Sequence, residues 1–191
     1  MLGIDEVGRG PVAGPVTVCL FYADKKVDLL DLFNDRKLKD SKKLSAKKRE
    51  EIYKNLLKMK KLGQVNWKVI NHSAEKIDKI GISKCIYKSI KNNIDKFKVK
   101  KSDVFLDGAL SKEFGEVILK GDEKVPVIAC ASIVAKVVRD RYMSRLDSVV
   151  PGYGFTDNAG YGTASHLNTI KLLGPSKYHR KTYLSRVLQK A

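Results

Sequence analysis

Residues 2–22 read LGIDEVGRGPVAGPVTVCLFY, and this stretch decides the fold. Residues 2–7 form a short apolar segment that ends on two adjacent carboxylates, Asp5 and Glu6. Residues 15–22 (PVTVCLFY) are apolar on both faces, the pattern of a strand buried centrally in a sheet. Between them GRGPVAGP packs three glycines and two prolines into eight residues, which requires a turn. Two strands joined by this turn, at the head of the chain, point to a sheet-based fold.

Working outward, Ser45 is placed to cap a helix ending near Gly63, with Ile52, Leu56 and Met59 on one face. Val65, Trp67 and Val69 alternate as a strand. Apolar residues at 82, 86, 90 and 94 mark a basic helix over 73–97. VFLDG (104–108) and EVILK (116–120) read as two further strands. Pro126 suits the first turn of a helix whose core face carries Val127, Ala131, Val134, Val138 and Tyr142. A loop rich in glycine and tyrosine, PGYGFTDNAGYGT (151–163), leads into a last helix ended by Gly174-Pro175. Strands with interleaved helices make an α/β layer fold. With 191 residues the expectation is one domain, a core over 1–150 with 151–191 as its C-terminal part.

Composition excludes several classes. Hydrophobic residues are 43% and charged residues 31%, which suits a packed core. The longest apolar run, 125–135, is broken by Ser132 and falls short of the ~20 residues that span a bilayer. MLGIDEVGRG lacks the basic and apolar regions of a secretory leader. Cys19, Cys85 and Cys130 are odd in number, far apart and without a CxxC pair, so neither a disulfide scaffold nor a zinc finger is expected. A reducing cytoplasm fits.

The charge is unevenly spread. Net charge is +17, yet residues 36–101 hold 22 basic and 6 acidic residues. Residues 1–35 hold 3 and 6, and residues 102–191 hold 13 and 9. A localised positive field favours a polyanion, nucleic acid before anionic lipid. Lysine decorating solvent-facing helices would give the same count.

Against this basic background, three acidic features stand out. Asp5 and Glu6 close a strand directly before the glycine turn, and strand neighbours point to opposite faces. Asp107 closes VFLDG at a strand's C-terminal end, where function gathers in sheets flanked by helices. Asp140 sits at the margin of the apolar stripe of the 126–147 helix. Converging carboxylates repel one another unless a cation sits among them. With only oxygen donors, that cation would be hard, Mg2+ or Mn2+. The alternative for each acid alone is a strand-end cap or an i,i+4 ion pair, such as Lys136 with Asp140.

GIDEVGRGPVAGP (3–15), DSKKLS (40–45), LDG (106–108), ASIVAKVVRD (131–140), GYGTASH (160–166) and GPSKYHR (174–180) together resemble ribonuclease HII. The resemblance runs in that family's order over almost the whole chain. It implies an RNase H-like fold, a central mixed five-stranded sheet flanked by helices with a helical C-terminal part. It implies an endonuclease that cuts the RNA strand of RNA–DNA hybrids and cuts 5′ of single ribonucleotides in duplex DNA, leaving 3′-hydroxyl and 5′-phosphate ends. Its catalytic, metal-holding carboxylates fall on Asp5, Glu6, Asp107 and Asp140, serving two Mg2+ or Mn2+ ions with substrate bound. Gly8, Arg9 and Gly10 match the segment whose main chain approaches the 2′-hydroxyl, and Tyr161 matches the tyrosine that bonds it. Lys42 and Lys43 match phosphate contacts. His179 and Arg180 lie in a family motif but acquire no role from it, while His72 and His166 read as structural or surface residues. Asn158 and Ala159 stand where many bacterial relatives carry a His-Lys pair. The expected protein is a cytoplasmic monomer. Two readings compete with it, namely another metal-dependent nuclease on the same fold and a non-catalytic basic module that coats nucleic acid.

Overall fold

The computed structural model describes residues 1–33, 38, 44–108 and 110–188. The two opening segments form β1 (Leu2–Val7) and β2 (Val16–Ala23), paired antiparallel with Asp5 opposite Cys19. The chain then runs through α1 (Ala46–Lys61) to β3 (Val65–His72), which pairs antiparallel with β2. Ser45 caps α1 by accepting from the Lys48 amide at 3.2 Å. Ile52 and Leu56 are buried beneath that helix and Met59 is half-buried.

The expected single helix over 73–97 is two helices, α2 (Ala74–Ile80) and α3 (Ile82–Lys91), with a 3-10 turn at Ile94–Phe97. Gly81, at φ +81°, breaks them. The apolar spacing resumes on the far side, so periodicity alone runs through the break. β4 (Val104–Asp107) and β5 (Glu116–Ile118) complete a mixed five-stranded sheet of order β3-β2-β1-β4-β5, with β4 parallel to both β1 and β5.

The long α4 (Pro126–Val149) crosses one face of β1 and β2. Gly3 makes this close approach possible, since a Cβ there would stand 2.2 Å from the Val127 backbone. α4 is buried nearly all round from Val127 to Val137, more than a single apolar stripe, while Val138 and Tyr142 are only half-buried. Beyond it come α5 (Phe155–Asn158), α6 (Ala164–Leu173) and α7 (Lys181–Leu188). The helix ended by Gly174 is therefore not the last.

Alternation along the strands gives the sheet two cores. Leu2, Ile4, Val18, Leu20 and Leu106 face α3, and Cys19, Phe21 and Phe105 face α1 and α4. A third cluster joins Val12, Met143, Phe155, Ile170 and Leu184, so the N-terminal turn packs with the C-terminal helices. Cys19, Cys85 and Cys130 are buried and free. No helix among the described residues is long and apolar enough to cross a membrane.

Candidate active site

β1 and β4 are parallel neighbours with Ile4 opposite Leu106, so the next step of the register brings Asp5 beside Asp107. Both lie at strand ends on the α4 side of the sheet, because each shares its face with the residue two positions earlier, Gly3 and Phe105. Asp5 is 6% exposed and accepts from the Glu6 amide at 2.7 Å. Burial, the neighbouring Glu6 charge and Asp107 push its pKa well above the usual carboxylate range, and a hydrogen bond from Ser132 offsets only part of this. Glu6 is raised mainly by burial, with Asp107 adding to the rise and Arg9 opposing it. Arg9 Nη1 donates to Glu6 Oε1 at 3.1 Å, while Glu6 Oε2 is buried without a partner. Asp107 accepts from the Gly121 amide at 2.6 Å.

Asp5, Glu6 and Asp107 thus form one electrostatically coupled group. Asp140 is held by Lys136 Nζ at 2.7 Å and lies 3.7 Å from Arg49 Nη2, the i,i+4 pairing its position allows. Among the described residues no three His, Cys, Asp or Glu side chains are disposed to hold a metal ion as they stand. The chemistry of the donors nevertheless suits a hard cation. All are carboxylate oxygens, one is buried and unpartnered, and burial with mutual repulsion favours any added positive charge.

The turn that follows is clamped from beneath by two buried arginines. Arg180, 0% exposed, donates to the carbonyls of Gly8 (2.7 Å), Arg9 (3.0 Å) and Gly14 (3.0 and 3.1 Å). Arg139, 1% exposed, donates to Pro15 (3.0 Å) and Ala13 (3.4 Å). Burial lowers the pKa of both, that of Arg180 to about 10. A trans peptide points its C=O and the following N–H in opposite directions. With the Gly8 and Arg9 carbonyls turned in to Arg180, the Arg9 and Gly10 amides point away from it. Gly8 must be glycine here, since its φ is +90° and a Cβ would lie 2.4 Å from Arg139 Nε.

Tyr161 stands beside this turn. The residue is 46% exposed and its ring stands 3.7 Å from where a Gly10 Cβ would be, so the two Gly-rich loops adjoin. Gly160 O accepts from the Val12 and Ala13 amides at 2.9 and 3.1 Å. Asn158 shapes the loop: its carbonyl accepts from the Tyr161 amide at 2.8 Å and its side-chain oxygen from the Gly160 amide at 2.7 Å. Ala159 is carried in a left-handed conformation at φ +48°. Asn158 and Ala159 therefore brace the loop that carries Tyr161. Lys42 and Lys43 lie outside the described residues. His72 is half-buried and bonds Ser89 at 2.8 Å, while His166 is buried against His179, so it is structural and not a surface group.

Sequence reasoning missed that Arg139, Arg180, His166 and His179 hold the Gly8–Gly14 turn and the Tyr161 loop. One signal was available for the first, an arginine directly after the apolar pair Val137-Val138 in IVAKVVRD.

Fold and site together define an RNase H-like nuclease. The family model for ribonuclease HII matches residues 2–187. Ribonuclease HII of Lachnoclostridium phytofermentans is 41% identical over 189 residues, covering 97% of this chain and 70% of that relative. That of Pelagibacter ubique is 38% identical over 187 residues, covering 96% and 95%. Among solved structures, ribonuclease H2 from Pyrococcus horikoshii OT3 has a TM-score of 0.73 at 24% identity, over 95% of this chain and 92% of that one. Bst-RNase HIII in complex with Mn2+ has a TM-score of 0.64 at 19% identity, over 95% and 66%. The chain belongs to the ribonuclease HII family and is a ribonuclease H, an endonuclease.

Proposed function

We propose that this protein hydrolyses the RNA strand of RNA–DNA hybrids and cuts 5′ of single ribonucleotides embedded in duplex DNA, leaving 3′-hydroxyl and 5′-phosphate ends. One juxtaposition carries the reading. The carboxylates of Asp5 and Glu6 lead directly into a turn whose Arg9 and Gly10 amides face outward beside the exposed ring of Tyr161. A phosphodiester lying over the acids would then set its sugar against the turn.

Asp5, Glu6, Asp107 and Asp140 are the residues that would hold divalent ions, Mg2+ or Mn2+, two with substrate bound. Bound there, such ions supply activation of water and neutralisation of charge at the scissile phosphate. The chain's own groups do the rest. Asp140 joins the site by exchanging Lys136 and Arg49 as its partners. The outward amides offer two donors to a 2′-hydroxyl, the one chemical handle that separates ribose from deoxyribose. Tyr161 adds a phenol that bonds the same hydroxyl and a ring that lies on the next sugar. Arg180 keeps the amides aimed, and the buried cation on their carbonyls polarises them into stronger donors.

The basic segment 36–101, with Lys42 and Lys43, would contact phosphates without reading bases. Residues 151–191 belong to the same domain as the core, a reading supported by the cluster that joins Val12 to Leu184. The protein would act as a monomer in the cytoplasm. The test is cleavage of a duplex carrying one ribonucleotide beside the same duplex in all DNA, each with and without Mg2+ or Mn2+. Metal-dependent cutting of the first alone is expected.

A further inference from the structure

His166 and His179 are 1% and 2% exposed, and their Nε2 atoms are 3.1 Å apart, so a single proton lies between them. Their neighbours fix every other proton. His166 Nδ1 is 2.7 Å from the carbonyl of Tyr161, which can only accept, so Nδ1 carries hydrogen. The bare Nε2 of His166 then accepts from His179 Nε2–H. That leaves His179 Nδ1 bare, and it accepts from the Ser176 amide at 3.0 Å and the Ser176 hydroxyl at 2.9 Å. The result is a one-way relay of neutral rings running from Ser176 to the backbone of Tyr161.

The surroundings hold the relay neutral. Tyr153 and Phe155 pack both rings, with centroids 4.8–6.4 Å away. The Tyr153 phenol is turned to the Gly174 carbonyl at 2.7 Å. Arg180, next in the chain, spends its guanidinium on Gly8, Arg9 and Gly14. Among the described residues no carboxylate acts on either ring, and burial lowers the pKa of both, that of His179 to about 4. A second proton on either ring would set N–H against N–H.

The same short segment holds the other loop. Tyr178 O accepts from the Gly14 amide at 2.9 Å, and the Arg180 amide donates to Val12 O at 2.7 Å. Residues 176–180 thus bind the Gly8–Gly14 turn through backbone and Arg180, and bind Tyr161 through the two histidines. We propose that His166 and His179 are positioning residues that set Tyr161 against the Gly8–Gly10 turn, and that ribose recognition lasts only while their proton order is intact. This rests on the reading of Tyr161 as the contact to the 2′-hydroxyl.

The test uses the full chain in EDTA, where no cutting intervenes. The readout is the ratio of Kd for an all-DNA duplex to Kd for the same duplex with one ribonucleotide. His166→Phe keeps an aromatic ring but loses the donor, and should lower the ratio about fivefold, the loss of one hydrogen bond. His166→Asn keeps a donor near Nδ1 and should restore most of it. Should His166→Phe fail to fold, the wild-type titration still decides. Nitrogen-15 NMR should show Nδ1–H on His166 and Nε2–H on His179 at pH 7, and the wild-type ratio should fall at the pH where that pattern is lost. Charged rings or reversed tautomers at pH 7, or a ratio indifferent to their titration, would overturn the inference. If Tyr161→Phe lowers the ratio and His166→Phe does not, the relay alone is wrong. If Tyr161→Phe changes nothing, the reading of Tyr161 fails and the inference goes with it.

Discussion

Arg180 Nη2 lies 2.7 Å from the carbonyl oxygen of Gly8, although 172 residues separate the two in the chain. The contact closes the molecule's ends onto one another and decides which way the peptides after Gly8 and Arg9 point. A planar fork is needed, because three separate carbonyls are reached from one guanidinium.

Arg180→Lys should therefore cost about 2–3 kcal/mol of stability, since an ammonium reaches fewer of these buried carbonyls and leaves the others without a donor. Urea unfolding measures the loss. The same variant should reduce kcat/KM on a single-ribonucleotide duplex beyond what its folded fraction explains, because the Arg9 and Gly10 amides are no longer aimed.

Asp5→Asn should abolish cleavage and stabilise the fold. A carboxyl whose folded pKa lies above its unfolded value lowers stability progressively as pH rises between the two, so at neutral pH ionised Asp5 works against folding. The amide removes that charge and can keep the acceptor for the Glu6 amide. A gain of about 1–2 kcal/mol by urea unfolding is expected together with undetectable turnover. Duplex binding should tighten slightly, as a like charge near phosphate is gone.

The histidine pair has the opposite sign. A base whose folded pKa is lowered takes up protons more readily when unfolded, so its contribution is full above the ordinary histidine pKa of 6.5 and drains away as pH falls toward about 4. His179→Phe keeps a ring against Tyr153 and Phe155 but cannot titrate. Its stability relative to wild type should improve steadily from pH 7 to pH 4, a trend that chemical denaturation at several pH values would reveal.

Tyr161→Phe removes one hydroxyl from an exposed ring and should cost about 1–2 kcal/mol in kcat/KM on single-ribonucleotide duplexes. Tyr161→Ala removes the ring too, and should hurt those duplexes more than continuous hybrids, where the next sugar is not a deoxyribose. Equal losses on both substrates would reduce Tyr161 to a loop anchor.

The sheet and all five of its strands were legible because strand patterns and the glycine turn are local. The acids at Asp5, Glu6 and Asp107 were legible for a related reason, as charges at the ends of apolar strands. Gly81 was not, since apolar residues at 82, 86 and 90 carry the helical pattern past it. Arg139 and Arg180 escaped because their partners are backbone carbonyls, which carry no side-chain signature, more than 120 residues away. His166 and His179 were hidden likewise, for nothing in their spacing announces a hydrogen bond between rings on separate segments. Asp140 held two readings open, and the contact seen with Lys136 is the local one.

In the proposed function the acidic cluster, with divalent ions, cuts beside a ribose recognised by the turn and Tyr161. The most direct measurement is product analysis after incubating the 191-residue chain with a DNA duplex containing one ribonucleotide, with Mg2+, with Mn2+ and with EDTA. One cut on the 5′ side of the ribonucleotide is expected, with 3′-hydroxyl and 5′-phosphate ends, no product in EDTA, and an intact all-DNA duplex. Equal cutting of the all-DNA duplex, or tight binding with no metal-dependent product, would contradict the proposed function.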